Sequence, residues 1–224
     1  MCSSDLTIKR QRGQSYAEVQ AVCLAMLGVV DIGLGNNQSI YKFLRKIRHD
    51  YTVVATPDHL ADIQKLIFPG VGTFKEAATR LQRTGLLGGI QKYIENDGSY
   101  LGICLGMQLM ARLGYEVSLS EGFGIFDAEV VRMTPDQDLA LPHIGWNSVQ
   151  HDGSGMFSKI AVNEDFYFVH SYFMRLDSPH IHFNFNYGGN FTAYVRSGKA
   201  HGVQFHPEKS QKAGQQFLKN FLEC

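Results

Sequence analysis

The 224-residue chain carries 21 Lys+Arg against 21 Asp+Glu, 44% hydrophobic residues and 12% aromatics, the composition of an ordinary soluble globular domain. A formal net charge of zero, with no block of like charge, leaves no basic stripe for a nucleic-acid backbone, and the longest apolar runs fall far short of the ~20 residues that a bilayer crossing needs. Cys2, Cys23, Cys104 and Cys224 are scattered without a Cys-x-x-Cys pair, and the N-terminus lacks a charged-then-apolar leader, so free thiols in a reducing cytosol are expected.

In chain order, residues 1–25 are polar up to Gln14 and read as an appended, flexible arm, and residues 26–224 read as one domain. From Met26 short apolar runs alternate with amphipathic ones. Residues 27–32 read as a buried strand, and 37–48 as a helix with Ile40, Phe43, Leu44 and Ile47 on one face. A strand is expected at 52–55, a polar helical stretch from Pro57, and a third strand at 66–68 halted by Pro69-Gly70. One long helix over 73–96, a strand at 99–103 and a helix over 105–113 capped by Gly114 complete this half. Strand-helix alternation implies a doubly wound α/β fold, a largely parallel sheet with helices on both faces.

Beyond Gly122 the pattern turns to β segments at 125–133, 167–170, 180–186 and 191–195, with Tyr187-Gly188-Gly189-Asn190 as a hairpin signal. These add antiparallel strands. A strand at 200–205 and a helix at 209–222, with Phe217, Leu218 and Phe221 as its apolar face, close the chain.

The segment Tyr100-Leu-Gly-Ile-Cys104-Leu-Gly-Met-Gln108 puts Cys104 where a buried strand turns abruptly into a helix. Gly102 and Gly106 allow that turn to be tight, so the thiol is presented at the carboxyl edge of the sheet and at a helix N-terminus that favours thiolate. A nucleophilic thiol needs a base, and the base an orienting group. Gly202-Val-Gln-Phe-His206-Pro-Glu208 supplies both at a strand end: residues 202, 204 and 206 share one face, Pro207 stops the strand, and Glu208 can fix the imidazole tautomer. Leu105 N–H and the Pro69-Gly-Val71-Gly72 loop are candidate oxyanion donors.

Other signals are weaker. Gly33-Leu34-Gly35 follows a strand, but Gln38 replaces the third glycine of a dinucleotide fingerprint, so no nucleotide cofactor is expected. His180 and His182 lack an acidic or thiol companion, so no metal site is expected. Trp146 reads either as a core aromatic or as an exposed interface anchor.

The Cys104 and His206-Pro-Glu208 motifs resemble those of the class I (triad) glutamine amidotransferases over residues 26–224. Further segments, Val30-Asp31 with Gly33-Leu-Gly-Asn36, Pro69-Gly-Val-Gly72, Pro142-His-Ile-Gly-Trp-Asn147 and Phe168-Val-His-Ser-Tyr172, resemble the glutaminase subunits of imidazole glycerol phosphate synthase. The resemblance implies a flavodoxin-like fold with Cys104 as nucleophile, His206 as acid/base and Glu208 as its orienter. It also implies Val71, Gly72 and Leu105 around the oxyanion, and Gln108, Glu116, Ser171 and Tyr172 on the substrate, L-glutamine. Trp146, Asn147 and Lys209 would face a cyclase subunit held as heterodimer partner. Departures at Ile32, Asn37-Gln38 and Phe173 leave a second reading, a paralogue feeding ammonia to a sugar amidotransferase of surface-polysaccharide synthesis.

Overall fold

Strand by strand, apolar side chains alternate between two cores. In a computed structural model describing residues 26–35, 37–136, 138–176 and 181–224, the strands β1 (Leu27–Val30), β2 (Thr52–Val54), β3 (Lys65–Gly70) and β4 (Ser99–Cys104) run parallel. Leu27, Val29, Ile67, Leu101 and Ile103 face one core, where helices α1 (Gln38–Lys46) and α5 (Gln211–Glu223) contribute Phe43, Leu44, Phe217 and Phe221. Val30, Leu66, Phe68 and Tyr100 face the other, against α2 (Phe74–Thr84) and α3 (Leu86–Glu95). This is the period-2 alternation of a sheet covered on both faces.

The remaining strands are β5 (Ala111–Gly114), β6 (Ser120–Glu121), β7 (Phe126–Arg132), β8 (His143–Ser148), β9 (Asp165–His170), β10 (Tyr172–Arg175), β11 (Ile181–Asn186), β12 (Asn190–Ser197) and β13 (Ala200–Val203). The main sheet has the order β11-β12-β13-β4-β3-β1-β2, in which β13 joins β4 in parallel and β11 and β12 extend the edge antiparallel. A four-stranded sheet, β10-β7-β5-β6, and a two-stranded ribbon, β8-β9, stand apart from it. The Gly188-Gly189 turn, with φ of 62° and 155°, joins β11 to β12 as the hairpin signal predicts.

Four expectations are corrected. The long helix is two, α2 and α3, because Gly85 takes φ 75° and turns the chain between them, while Thr73 caps α2 by accepting from Glu76 N–H at 3.3 Å. Strand β3 does not halt at Pro69-Gly70: its pairing with β1 ends at Ile67, so the missing Pro69 N–H costs no bond on that side, while β4 pairs on to Gly70. The helix after Cys104 is short, α4 (Leu105–Gln108), and β5 follows, drawn off by parallel pairing with β7. Gly114 therefore ends a strand. Strands β8 and β10 were not expected at all; the partners that order them, β9 and β7, lie far away in sequence. The proposed arm, residues 1–25, lies outside the described residues, as do Cys2, Cys23 and His180. No helix among the described residues is long and apolar enough to cross a membrane.

Candidate active site

Parallel register brings the chemistry to one edge. Gly202 lies opposite Gly102, Val203 opposite Ile103, and Gly70 opposite Cys104, so the carboxyl ends of β3, β4 and β13 converge. There Cys104 has φ 53° and ψ −104°, a conformation that costs a non-glycine residue about 1–3 kcal/mol and aims the side chain out of the strand line. Two glycines make the bend sterically feasible. A Cβ on Gly102 would lie 2.4 Å from Gly106 O, and one on Gly106 would lie 2.1 Å from Phe68 O. Cys104 is free and buried.

The base arrives from β13. His206 is buried, and its backbone N–H donates to Tyr167 O at 2.8 Å while Ser210 Oγ donates to His206 O at 2.6 Å. A single 3₁₀ turn, Pro207–Lys209, folds Glu208 back so that Oε1 accepts from His206 Nδ1 at 2.8 Å. Burial alone would lower the imidazole pKa, but the charge of the Cys104 sulfur, reinforced by the hydrogen bond to Glu208, pushes it up to about 10, with Nε2 buried and making no hydrogen bond to the described residues. His206 thus holds its proton beside the Glu208 carboxylate and the Cys104 sulfur. Chemically, such an arrangement can serve as nucleophile, base and orienter.

A third group, not anticipated from the sequence, reaches the sulfur. Gln204, fully buried, stands one register step beyond Val203 and thus beside Cys104; its Nε2 lies 3.5 Å from Sγ and its Oε1 accepts from Gln108 Nε2 at 3.1 Å. The strand alternation that groups residues 202, 204 and 206 on one face was the signal that could have found it.

The profile of the family described as glutamine amidotransferase class-I matches residues 28–224. The chain belongs to that family. The amidotransferase is 36% identical over 198 residues to "Imidazole glycerol phosphate synthase subunit HisH 1" of Campylobacter jejuni, covering 88% of this chain and 98% of that one. It is 40% identical over 201 residues to the subunit of that name from Vibrio vulnificus, covering 87% and 96%. It is 38% identical over 201 residues to "Imidazole glycerol phosphate synthase hisHF, chloroplastic" of Arabidopsis thaliana, covering 88% of this chain and 34% of that longer protein. A crystal structure titled as a glutamine amidotransferase superposes with TM-score 0.70 at 20% identity, over 88% of this chain and 97% of that one. PurLQS from Thermotoga maritima gives 0.68 at 16% identity, with the same coverage. At these identities the two structures establish the fold.

Of the amidotransferase residues assigned to glutamine by resemblance, Gln108 is buried and donates both amide hydrogens within the protein, to Gln204 Oε1 and to Tyr172 O at 2.9 Å. Ser171 and Tyr172 lie in and beside β10, where Ser171 O accepts from Met133 N–H at 2.9 Å. Glu116 Oε2 accepts from Phe74 N–H at 2.8 Å at the start of α2; burial raises its carboxyl pKa, and that hydrogen bond opposes the rise. Val71 and Gly72 lie exposed beyond β3, with Val71 packed against Gly35. Leu105 follows the nucleophile, packed against Gly70. A cleft of about 90 Å³ joins Pro69, Gly70 and Val71 to His206, Glu208 and Lys209.

The outer face of the amidotransferase site carries the expected interface residues. Trp146 is 46% exposed on β8 beside Ile144 at 60%, and its ring meets the Tyr167 ring edge-on at 5.8 Å. Lys209 Nζ sits 5.8 Å over that same Tyr167 ring, and Asn147 Nδ2 donates to Asn186 O at 2.7 Å. Tyr167, unremarked in the sequence, links this patch to His206, 6.5 Å away. Behind it lie two further buried histidines. Burial lowers His143 to about 4. It lowers His170 to about 3, against the opposing hydrogen bond from Nδ1 to Tyr172 O. Among the described residues no group of three or more His, Cys, Asp or Glu is placed to hold a metal ion.

Proposed function

We propose that the amidotransferase hydrolyses L-glutamine through Cys104 and passes the ammonia to a cyclase subunit, giving imidazole glycerol phosphate and aminoimidazole carboxamide ribotide. The observation that carries the chemistry is the His206 imidazole, held by Glu208 on one nitrogen and charged against the Cys104 sulfur. The thiolate adds to the glutamine side-chain carbonyl carbon, forming the C–S bond, while backbone N–H groups of Val71, Gly72 and Leu105 hold the oxyanion. His206 gives its proton to the amide nitrogen, the C–N bond breaks, and ammonia leaves. Water, losing a proton to His206, then cleaves the γ-glutamyl thioester and restores the thiol as glutamate departs.

Gln108, Glu116, Ser171 and Tyr172 position the glutamine, and no cofactor takes part in these steps. Ammonia freed into bulk water becomes ammonium, which is no nucleophile, so direct transfer to a docked synthase is the chemically sensible use. Trp146, Asn147 and Lys209 provide the docking face. The relatives named above support the synthase reading over a polysaccharide-sugar paralogue. Residues 26–224 form the amidotransferase domain in this reading, 1–25 an extension preceding it, and the cytosol the setting. Affinity purification from native cells tests the partner: a (β/α)8 cyclase is the expected co-purifying subunit, and a sugar-amidating synthase in its place overturns the pathway.

A further inference from the structure

One buried polar group touches the nucleophile without a part in the steps above. The Tyr172 backbone carbonyl can only accept, so the Gln108 side-chain atom 2.9 Å from it is the amide nitrogen. That nitrogen's second hydrogen points to Gln204 at 3.1 Å, so the Gln204 atom facing it is the oxygen. The other end of the Gln204 amide, 3.5 Å from Cys104 Sγ, is then a donor. Both amides are oriented by an acceptor that cannot be reversed, and Gln204 is fully buried.

We infer that Gln204 is a catalytic hydrogen-bond donor to the Cys104 sulfur, and that Gln108, besides any contact with substrate, is the positioning residue that aims it. A hydrogen bond to the charged form of an ionisable group favours that form, and it does so most where water is excluded. Gln204 therefore holds the thiolate from the side away from solvent, while His206 supplies the positive charge. A side chain that merely filled the space, such as Met or Leu, would pack there without donating. The two-amide relay also ties the nucleophile to the 170–172 segment, because Tyr172 O accepts from His170 Nδ1 at 2.9 Å as well.

The inference rests on the amidotransferase reading for its consequence in turnover, but its test reads the sulfur directly. The rate of Cys104 alkylation by iodoacetamide is followed against pH in the full chain, with the Cys104-containing peptide quantified by mass spectrometry. Gln204→Met is expected to move the midpoint upward by about one pH unit, a roughly tenfold loss of thiolate at a fixed pH below it. Gln108→Met, which leaves Gln204 in place but unaimed, is expected to move it the same way by less, and it decides the matter if Gln204→Met fails to fold. Midpoints unchanged in folded variants overturn the inference and leave the glutaminase reading standing. A shifted midpoint in the variants, together with no glutamine turnover by the native chain and its partner, supports the inference and refutes the glutaminase reading instead.

Discussion

His206 and Glu208, two residues apart, are joined side chain to side chain at 2.8 Å because a single 3₁₀ turn at Pro207–Lys209 doubles the chain back at the end of β13. Both side chains are almost wholly buried, at 2% and 7% exposure, so the carboxylate acts on the imidazole with little solvent screening. Replacing it tests the role assigned to it. Glu208→Gln keeps the shape and removes the charge, so His206 should fall below its value of about 10 and hold the wrong tautomer in part of the population. Glutamine turnover is expected to drop about a hundredfold or more, and the alkaline limb of its pH profile to move to lower pH. Steady-state kinetics across pH checks both, and an unmoved limb would remove Glu208 from the mechanism.

The elbow makes a stability prediction. A methyl group on Gly106 would stand 2.1 Å from Phe68 O, a backbone atom fixed within β3. Gly106→Ala should therefore cost about 3 kcal/mol or more, by overpacking at a site that cannot relax. Denaturant unfolding measures it, with Gly88→Ala, which meets nothing within 4 Å, as the control expected to fold normally. Equal midpoints for the two variants would contradict the close approach.

Stability against pH follows from the buried histidines. His143, His170 and His201 are lowered by burial to about 4, 3 and 4, so below pH 6.5 the unfolded chain takes up protons that the folded chain refuses. Stability should fall as pH drops from 6.5, with each of the three taking up as much as one proton on unfolding. His206 has the opposite sign: its raised value gives stability that is complete below pH 6.5 and is lost as pH rises toward 10. From these four residues the optimum lies near pH 6.5, and His143→Phe, which keeps the stack on Phe185 at 5.3 Å, should flatten the acid side. Thermal melts from pH 4.5 to 9.5 check the sign, and an acid side as steep in the variant as in the parent would be inconsistent with it.

Much of the site could be read from the sequence, for a physical reason. Cys104 and His206 each sit at a strand end whose neighbours, Gly102 and Gly106 in one case and Pro207 in the other, announce a local backbone shape. Strand alternation puts Gln204 on the His206 face, but only the register of β13 on β4 sets its amide beside the sulfur. The long helix over 73–96 broke at Gly85, where continuous amphipathic spacing hid a left-handed turn. The run after Gln108 has helix-forming residues, yet pairing with β7 claims it as β5. Strands β8 and β10 are likewise the product of long-range partners, which local periodicity does not contain.

The exposed ribbon carries the interface claim. Trp146 presents nearly half its surface to solvent and meets the Tyr167 ring edge-on, so Trp146→Ala should lower the melting temperature of the isolated chain little. Affinity for the cyclase subunit should fall about tenfold or more, as for a central aromatic anchor. Calorimetric titration of the two subunits measures this. Unaltered affinity would move the docking face away from β8.

In the proposed function, ammonia forms from glutamine at Cys104 and the docked partner consumes it. The most direct measurement compares product formation by the reconstituted complex from glutamine and from ammonium salts, with the native chain and with Cys104→Ala. Cys104→Ala is expected to abolish synthesis from glutamine and to leave synthesis from ammonia intact. Loss of both, or survival of the glutamine-dependent rate, would contradict it.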